Sequence, residues 1–253
     1  MLFRSPFIIS AIKIIFLLGF LIFIHESGHF IVAKLCKVKV NEFAIGFGPT
    51  IWKKQGKETK YALRLIPLGG FVNMEGEEKK SEEEGSFSKA SIPKRIAIVL
   101  AGASVNIIFA IIVYFILVVT SGQFQGIGEG LKNAFLMTKD FIGSVIESLK
   151  LLFSGRVGVD QMMGPVGISE IISKTNGIKE FVYMLSAISM SLGVTNLLPI
   201  PALDGGKIVL LIIEAIRKKP LDDKTEINIQ LIGFSLLIAL SIYVTFNDIT
   251  RIF

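Results

Sequence analysis

Apolar residues along this chain fall into long runs separated by charged stretches, and that pattern predicts membrane helices before any motif is considered. A bilayer core needs roughly 20 apolar residues as a helix. The run from Phe7 to Leu35, broken by Lys13, a short polar patch and, near its end, Lys34, predicts a first span. Ile96 to Val119 carries no charge and predicts a second. Phe181–Leu198 and Ile229–Phe246 predict a third and a fourth. The apolar piece Ile208–Ile216 is too short to cross alone and contains Glu214, so it reads as a continuation of the third element beyond a break. Between the first two spans, Val38–Trp52 and Lys60–Met74 read as strands around the turn-rich Gly46-Phe47-Gly48-Pro49 and Lys57–Thr59. Glu75–Glu84 reads as a solvated charged loop. The segment from Gly128, with Phe135, Met137, Phe141, Ile142, Val145, Ile146, Leu149, Leu152 and Phe153, predicts an amphipathic helix on the outer membrane surface. The expected fold is thus an α-helical polytopic membrane protein with about four transmembrane helices, a cytoplasmic membrane-associated β-hairpin or small sheet, and an external amphipathic helix.

Composition agrees. Of 253 residues, 51% are hydrophobic, and the mean hydropathy is +0.64, too apolar for an ordinary soluble domain. The single cysteine, Cys36, excludes an internal disulfide. The net charge of +6 belongs to loops beside apolar spans. No arginine-rich stripe with interleaved aromatics is present, so the lipid bilayer, not nucleic acid, is the expected partner; the oligomeric state stays open. Thirteen Lys and Arg lie between Lys34 and Arg95 and four between Arg217 and Lys224, against six between Thr120 and Glu180. By the positive-inside rule the first and third loops face the cytoplasm and both termini lie outside. Arg4 and the run after it resemble a signal peptide, but no small-residue cleavage site follows, and a retained helix is expected.

The only two histidines stand in His25-Glu26-Ser27-Gly28-His29, inside the first predicted span. Random placement gives this arrangement on the order of once in 2,000 chains. Residues four apart share a helix face, about 5–6 Å apart at Cβ, so two imidazoles can hold one Zn²⁺ and Glu26 can take a proton from water. One histidine alone would read as a satisfied interior residue; two with an adjacent Glu, where polar groups are expensive, read as a site. With no third histidine and no second cysteine, a carboxylate or water must complete it. One candidate lies in Pro199-Ile200-Pro201-Ala202-Leu203-Asp204-Gly205-Gly206, which breaks the third element. Irregular backbone at membrane depth is tolerated where protein or a water-filled cavity satisfies it. Asp-Gly is also a common turn dipeptide. The charge bias puts Asp204 and the histidine motif toward the same, cytoplasmic, side.

These features together resemble the site-2 protease family of intramembrane zinc metalloproteases (peptidase family M50), in its bacterial RseP-like branch. The resemblance is carried by HESGH at 25–29, IGFGP at 45–49, IPLGGFVNM at 66–74, AGASVN at 101–106, MGPVGIS at 163–169 and NLLPIPALDGG at 196–206. It implies that His25, His29 and Asp204 ligate Zn²⁺ and that Glu26 is the general base. It implies that Asn196, with Pro199 and Pro201 of the same motif, contacts substrate or orients the site, and that the hairpin through Gly69 and Gly70 holds a substrate strand. It implies an endopeptidase of the bacterial inner membrane that cuts single-span membrane proteins, such as anti-sigma factors or remnant signal peptides, in regulated intramembrane proteolysis. Family members of this branch carry a PDZ domain between spans two and three. This chain has no room for one at Thr120–Gly126, so natural or engineered loss of that domain is expected, and with it weaker exclusion of intact substrates.

The resulting organisation is a first span with the motif at 1–36, a hairpin region at 37–95, a second span at 96–119, an external segment at 120–177, a third, broken element at 178–216, and a loop with the fourth span at 217–253. Two other readings compete: a membrane metal transporter, since intramembrane His and Asp also mark ion pathways, and a pseudoprotease scaffold.

Overall fold

The computed structural model describes residues 6–121, 126–156, 158, 161–175 and 177–252. The expected PDZ junction at 122–125, Arg4 and the side chain of Phe153 lie outside them. The element order is α1 (Pro6–Leu35), β1 (Val40–Gln55), β2 (Lys60–Met74), a 3-10 turn (Phe87–Lys89), α2 (Ile92–Thr120), α3 (Ile127–Phe153), α4 (Pro165–Lys174), α5 (Ile178–Asn196), α6 (Asp204–Arg217) and α7 (Asp223–Ile252).

Among the described residues, three helical stretches are long and apolar enough to cross a membrane: Ala11–Leu35, Ile92–Thr120 and Asp223–Arg251. Their exposed residues, such as Phe16 and Ile31 on α1, Ile108 and Ile116 on α2, and Leu236 and Ile242 on α7, are large and apolar, as a lipid-facing surface requires. α2 is the most enclosed: 44% of its apolar window is buried, against 17% for α1 and 11% for α7. The remaining expected span, Phe181–Leu198, corresponds to α5, which is not among the three. Buried Ser186 and Ser189 lower its apolarity. The Pro-rich turn after Asn196 separates it from α6, so the third element is two helices.

Contact density divides the chain into two units. One comprises residues up to Ile14, Ile107–Val194 and from Leu236 on; the other comprises Ile15–Asn106 and Thr195–Ser235. In the first unit, Ala110, Tyr114, Ala134, Met190 and Val194 form a core. Phe141, Ile142 and Val145 of α3 pack against it, whereas Phe135, Met137 and Ile146 stay exposed. The expected amphipathic stripe therefore splits between packing and an open face. Asp248 on α7 is buried and accepts the backbone N–H groups of Gly164 (2.9 Å) and Gly167 (2.8 Å). It caps the start of α4, which accounts for the MGPVG stretch.

In the second unit, β1 and β2 pair antiparallel, with Val40 opposite Met74, Ile45 opposite Gly70, and Gln55 opposite Lys60. Phe43, Ala44 and Ile45 also pair with Tyr61, Ala62 and Leu63, and residues 60–63 pair in turn with 52–55. The first half of β1 thus lies between the two halves of β2, and the first half of β2 between the two halves of β1. The bend in β1 uses Gly46 and Gly48, at φ +87° and +81°, a conformation cheap only for glycine. The sequence places turn residues there; pairing absorbs them into one bent strand. Residues 70–74 have a strand partner on one side only among the described residues. Val40, Phe43, Val72 and Met74 join Ala33, Phe87, Ile98, Val99 and Leu211 in a buried core that fixes the sheet against α1, α2 and α6.

Candidate metal centre

The site lies wholly in the second unit and is built from α1, α2, the start of α6 and the edge of β2. His25 and His29 are one helical turn apart, with ring centroids 4.8 Å apart. Their Nε2 atoms are 3.2 Å apart. Asp204 Oδ2 is 3.3 Å from His25 Nε2 and 3.5 Å from His29 Nε2. Donors about 2.0–2.1 Å from a tetrahedral zinc stand about 3.3–3.4 Å from one another, so these three spacings fit that ion. Asp204 Oδ2 is also buried without a hydrogen-bond partner, as expected of an atom whose lone pair is reserved for a metal. The three side chains are a candidate metal cluster, each only partly buried.

Local sequence explains how each candidate ligand is held. His29 Nδ1 lies 2.8 Å from the carbonyl oxygen of Ile98 on α2. A carbonyl can only accept, so the ring proton sits on Nδ1 and Nε2 is free to ligate. Asn106, fully buried, places its amide group 3.5 Å from His25 Nδ1. Between them on α2, Gly102 makes room for both rings. A Cβ there would stand 2.3 Å from His29 Nε2 and 2.9 Å from His25 Cε1. Gly28 has the reciprocal role on α1, since its Cβ would meet the Ala101 carbonyl oxygen at 2.5 Å. Small residues thus bring the two helices close enough for α2 to buttress the motif.

Asp204 is the first residue of α6, where the helix dipole favours a carboxylate. The two glycines after it are dictated by space. A Cβ on Gly205 would lie 2.3 Å from the Leu197 and Leu198 carbonyl oxygens, and one on Gly206 would lie 2.2 Å from that of Ile200. The Pro-rich turn therefore folds flat onto the start of α6, which the sequence signalled only as a break.

A cavity of about 300 Å³ opens beside the three side chains. Its lining includes Glu26, Gly70, Phe71, Val72, Asn196 and Lys207. Gly70 leaves space for Glu26, whose Cγ would be 3.1 Å from a Cβ at that position. Of the residues the sequence singled out, His25, Glu26, His29, Gly70, Asn196 and Asp204 meet here. Gly69, Pro199 and Pro201 do not line this cavity; the Phe47 ring lies over Gly69, and Pro201 packs against Gly233 of α7. A larger cavity of about 1040 Å³ shares Phe71, Val72, Glu77, Ala202, Leu203, Asp204 and Lys207 with the first. Glu42 sits on its rim: burial opposes ionisation, but hydrogen bonds from Arg64 and Lys60 outweigh it and hold the carboxyl below its ordinary value.

What the sequence reading missed is the support from α2. Gly102 and Asn106 lay in plain view within AGASVN, four residues apart on one face. The Ile98 contribution is a backbone carbonyl and carries no residue signal.

A chain with this fold and this set of donors falls in the class of membrane-embedded metallopeptidases, and comparison with known proteins places it. The description of peptidase family M50 matches residues 13–240, and the chain belongs to that family of zinc metalloproteases. It is similar to a protein of Clostridium acetobutylicum named as a candidate zinc metalloprotease, at 32% identity over 91% of this chain and 94% of that one. It is similar to a Fusobacterium nucleatum protein of like name at 28% identity, over 94% and 97%. The zinc metalloprotease RasP of Geobacillus kaustophilus is 24% identical, over 96% and 98%.

Proposed function

We propose that this zinc metalloprotease works inside the bilayer, cutting single-span membrane proteins within or near their transmembrane segment. His25, His29 and Asp204 would hold the zinc. The observation that carries the reading is the convergence of their three donor atoms at 3.2, 3.3 and 3.5 Å, with both histidines on a helix long and apolar enough to span a membrane. When bound, zinc supplies Lewis-acid polarisation of the scissile carbonyl and acidifies water. Glu26, lining the same cavity, takes the proton of the attacking water and passes it to the leaving amine. A transmembrane substrate arrives as a helix with its carbonyls already bonded, so it must unwind. The free edge at residues 70–74, which lines the cavity through Gly70–Val72, offers main-chain partners to the extended segment, and Asn196 orients it. The enzyme sits in the bacterial inner membrane with the site toward the cytoplasm, as the loop charges direct.

The alignment to the Clostridium protein runs over 320 residues while using 91% of a 253-residue chain, so roughly 90 aligned positions have no counterpart here, the size of a small domain. That supports loss of the external PDZ, and we expect substrates trimmed outside the membrane to be cut while intact ones are poorly excluded. The test is purified enzyme in proteoliposomes with a single-span substrate, the cut mapped by mass spectrometry. A cut in the apolar segment is expected. Cuts only in a soluble flank, or zinc uptake without cleavage, would contradict the reading.

A further inference from the structure

We propose that Gln230, on α7, is a positioning residue for the metal centre: its side-chain oxygen holds the left-handed turn at Ala202 that sets Asp204 against the two histidines. The proposal rests on Asp204 being a zinc ligand.

Ala202 has φ +73°. The other described non-glycine residues with positive φ are Lys37 and Lys218, each just beyond a helix C-terminus, where this conformation is common. Ala202 instead lies two residues before Asp204 in the turn that leads into α6, where an L residue in this region is disfavoured. Something must offset that cost. Within the turn, Ile200 N–H donates to Leu198 O (2.7 Å) and Leu203 N–H to Ile200 O (3.1 Å); Pro201 has no N–H. The N–H of Ala202 is the one tied from outside, to Gln230 Oε1 at 2.5 Å. One turn further along α7, Gly233 admits the ring of Pro201, since a Cβ there would lie 2.4 Å from Pro201 Cβ and from its carbonyl oxygen. The two α7 positions, three apart on one face, therefore grip consecutive residues of the turn. A carboxamide on a membrane helix is expensive unless it is used, and this is the use the geometry shows. The turn is otherwise free to relax to an ordinary backbone conformation, which would rotate Leu203 and move Asp204 off the point the histidines share.

The test is zinc affinity by chelator competition on the purified, folded protein, with peptide turnover measured in parallel. Gln230→Met, which keeps size but loses the acceptor, is expected to weaken zinc binding by about tenfold, and Gln230→Glu, which keeps an acceptor oxygen, by less than about threefold. In an Ala202→Gly background, where left-handed backbone carries no steric penalty, the same Gln230→Met change is expected to cost less than about threefold. Should Gln230→Met fail to fold, Ala202→Val, a β-branched residue that resists positive φ, is expected to weaken zinc binding with Gln230 intact. Undiminished affinity in Gln230→Met or in Ala202→Val, an equal loss in Gln230→Glu, or a loss that Ala202→Gly does not relieve would each overturn the proposal. Asp204→Ala separates the two layers. If it keeps full zinc affinity, the ligand assignment itself is wrong; if it loses zinc while Gln230→Met does not, only the role of Gln230 fails.

Discussion

Gly102→Ala adds one methyl group at the point where α2 meets both histidines. The new carbon would stand 2.3 Å from His29 Nε2, 2.6 Å from His29 Cε1 and 2.9 Å from His25 Cε1. Non-bonded heavy atoms settle at about 3.5 Å or more, so ring and helix must part by more than about 1 Å. Metal sites tolerate about 0.2 Å in ligand distance. Nor can α2 retreat without releasing the Ile98 carbonyl from His29 Nδ1 and opening the Gly28–Ala101 contact. We expect zinc affinity to fall on the order of 100-fold, equivalent to about 2.8 kcal/mol, with cleavage falling at least as far. Chelator competition on the detergent-purified protein measures this directly. Gly143→Ala on α3 is the matched control, because nothing lies within 4 Å of its Cβ position; it should bind zinc like the wild type. A folded Gly102→Ala protein with wild-type zinc affinity would refute the packing argument.

Two further outcomes follow from the second unit. Arg95 donates to both carboxylate oxygens of Glu214, at 3.0 and 2.5 Å, with side chains only 11% and 16% exposed. Glu214→Ala should destabilise by about 3–5 kcal/mol because it strands a buried guanidinium, and Arg95→Met with Glu214→Leu should restore most of that; an unchanged melting temperature in the single variant would contradict this. Glu42, held below its ordinary value by Arg64 and Lys60, is ionised to lower pH in the folded sheet than in the unfolded chain, where its pKa is about 4.3. Its stabilisation is complete above that value and is lost as pH falls through the folded one. Protection factors in the sheet, which are exchange rates corrected for the intrinsic slowing of amide exchange in acid, should therefore fall on acidification in the wild type and less so in Glu42→Gln; identical profiles would count against the ion pairs.

The candidate donor set, which the fold brings together, was legible because its signals are local or compositional. His25 and His29 declare themselves by spacing, and Asp204 by standing in a run where prolines and glycines interrupt apolar sequence. Lys60–Met74 was legible to the residue because turn chemistry bounds it. What stayed hidden depends on partners far along the chain. Gly102 looks like an ordinary small residue until α1 is laid against α2. Gln230 looks like a stray polar group in a span, and the doubled register of the sheet follows from bends that periodicity does not encode. The third element was legible in part: Phe181–Leu198 is apolar on average and forms α5, but Ser186 and Ser189, buried within the protein, keep it outside the stretches apolar enough to cross a membrane among the described residues.

The central claim is that His25, His29 and Asp204 hold the metal while Glu26 moves the proton. Measuring zinc content and cleavage of a single-span peptide for the wild type and Glu26→Gln tests it most directly. About one zinc per chain is expected in both proteins, with cleavage only by the wild type. Cleavage by Glu26→Gln at the wild-type rate, or an active wild type free of zinc, would contradict it.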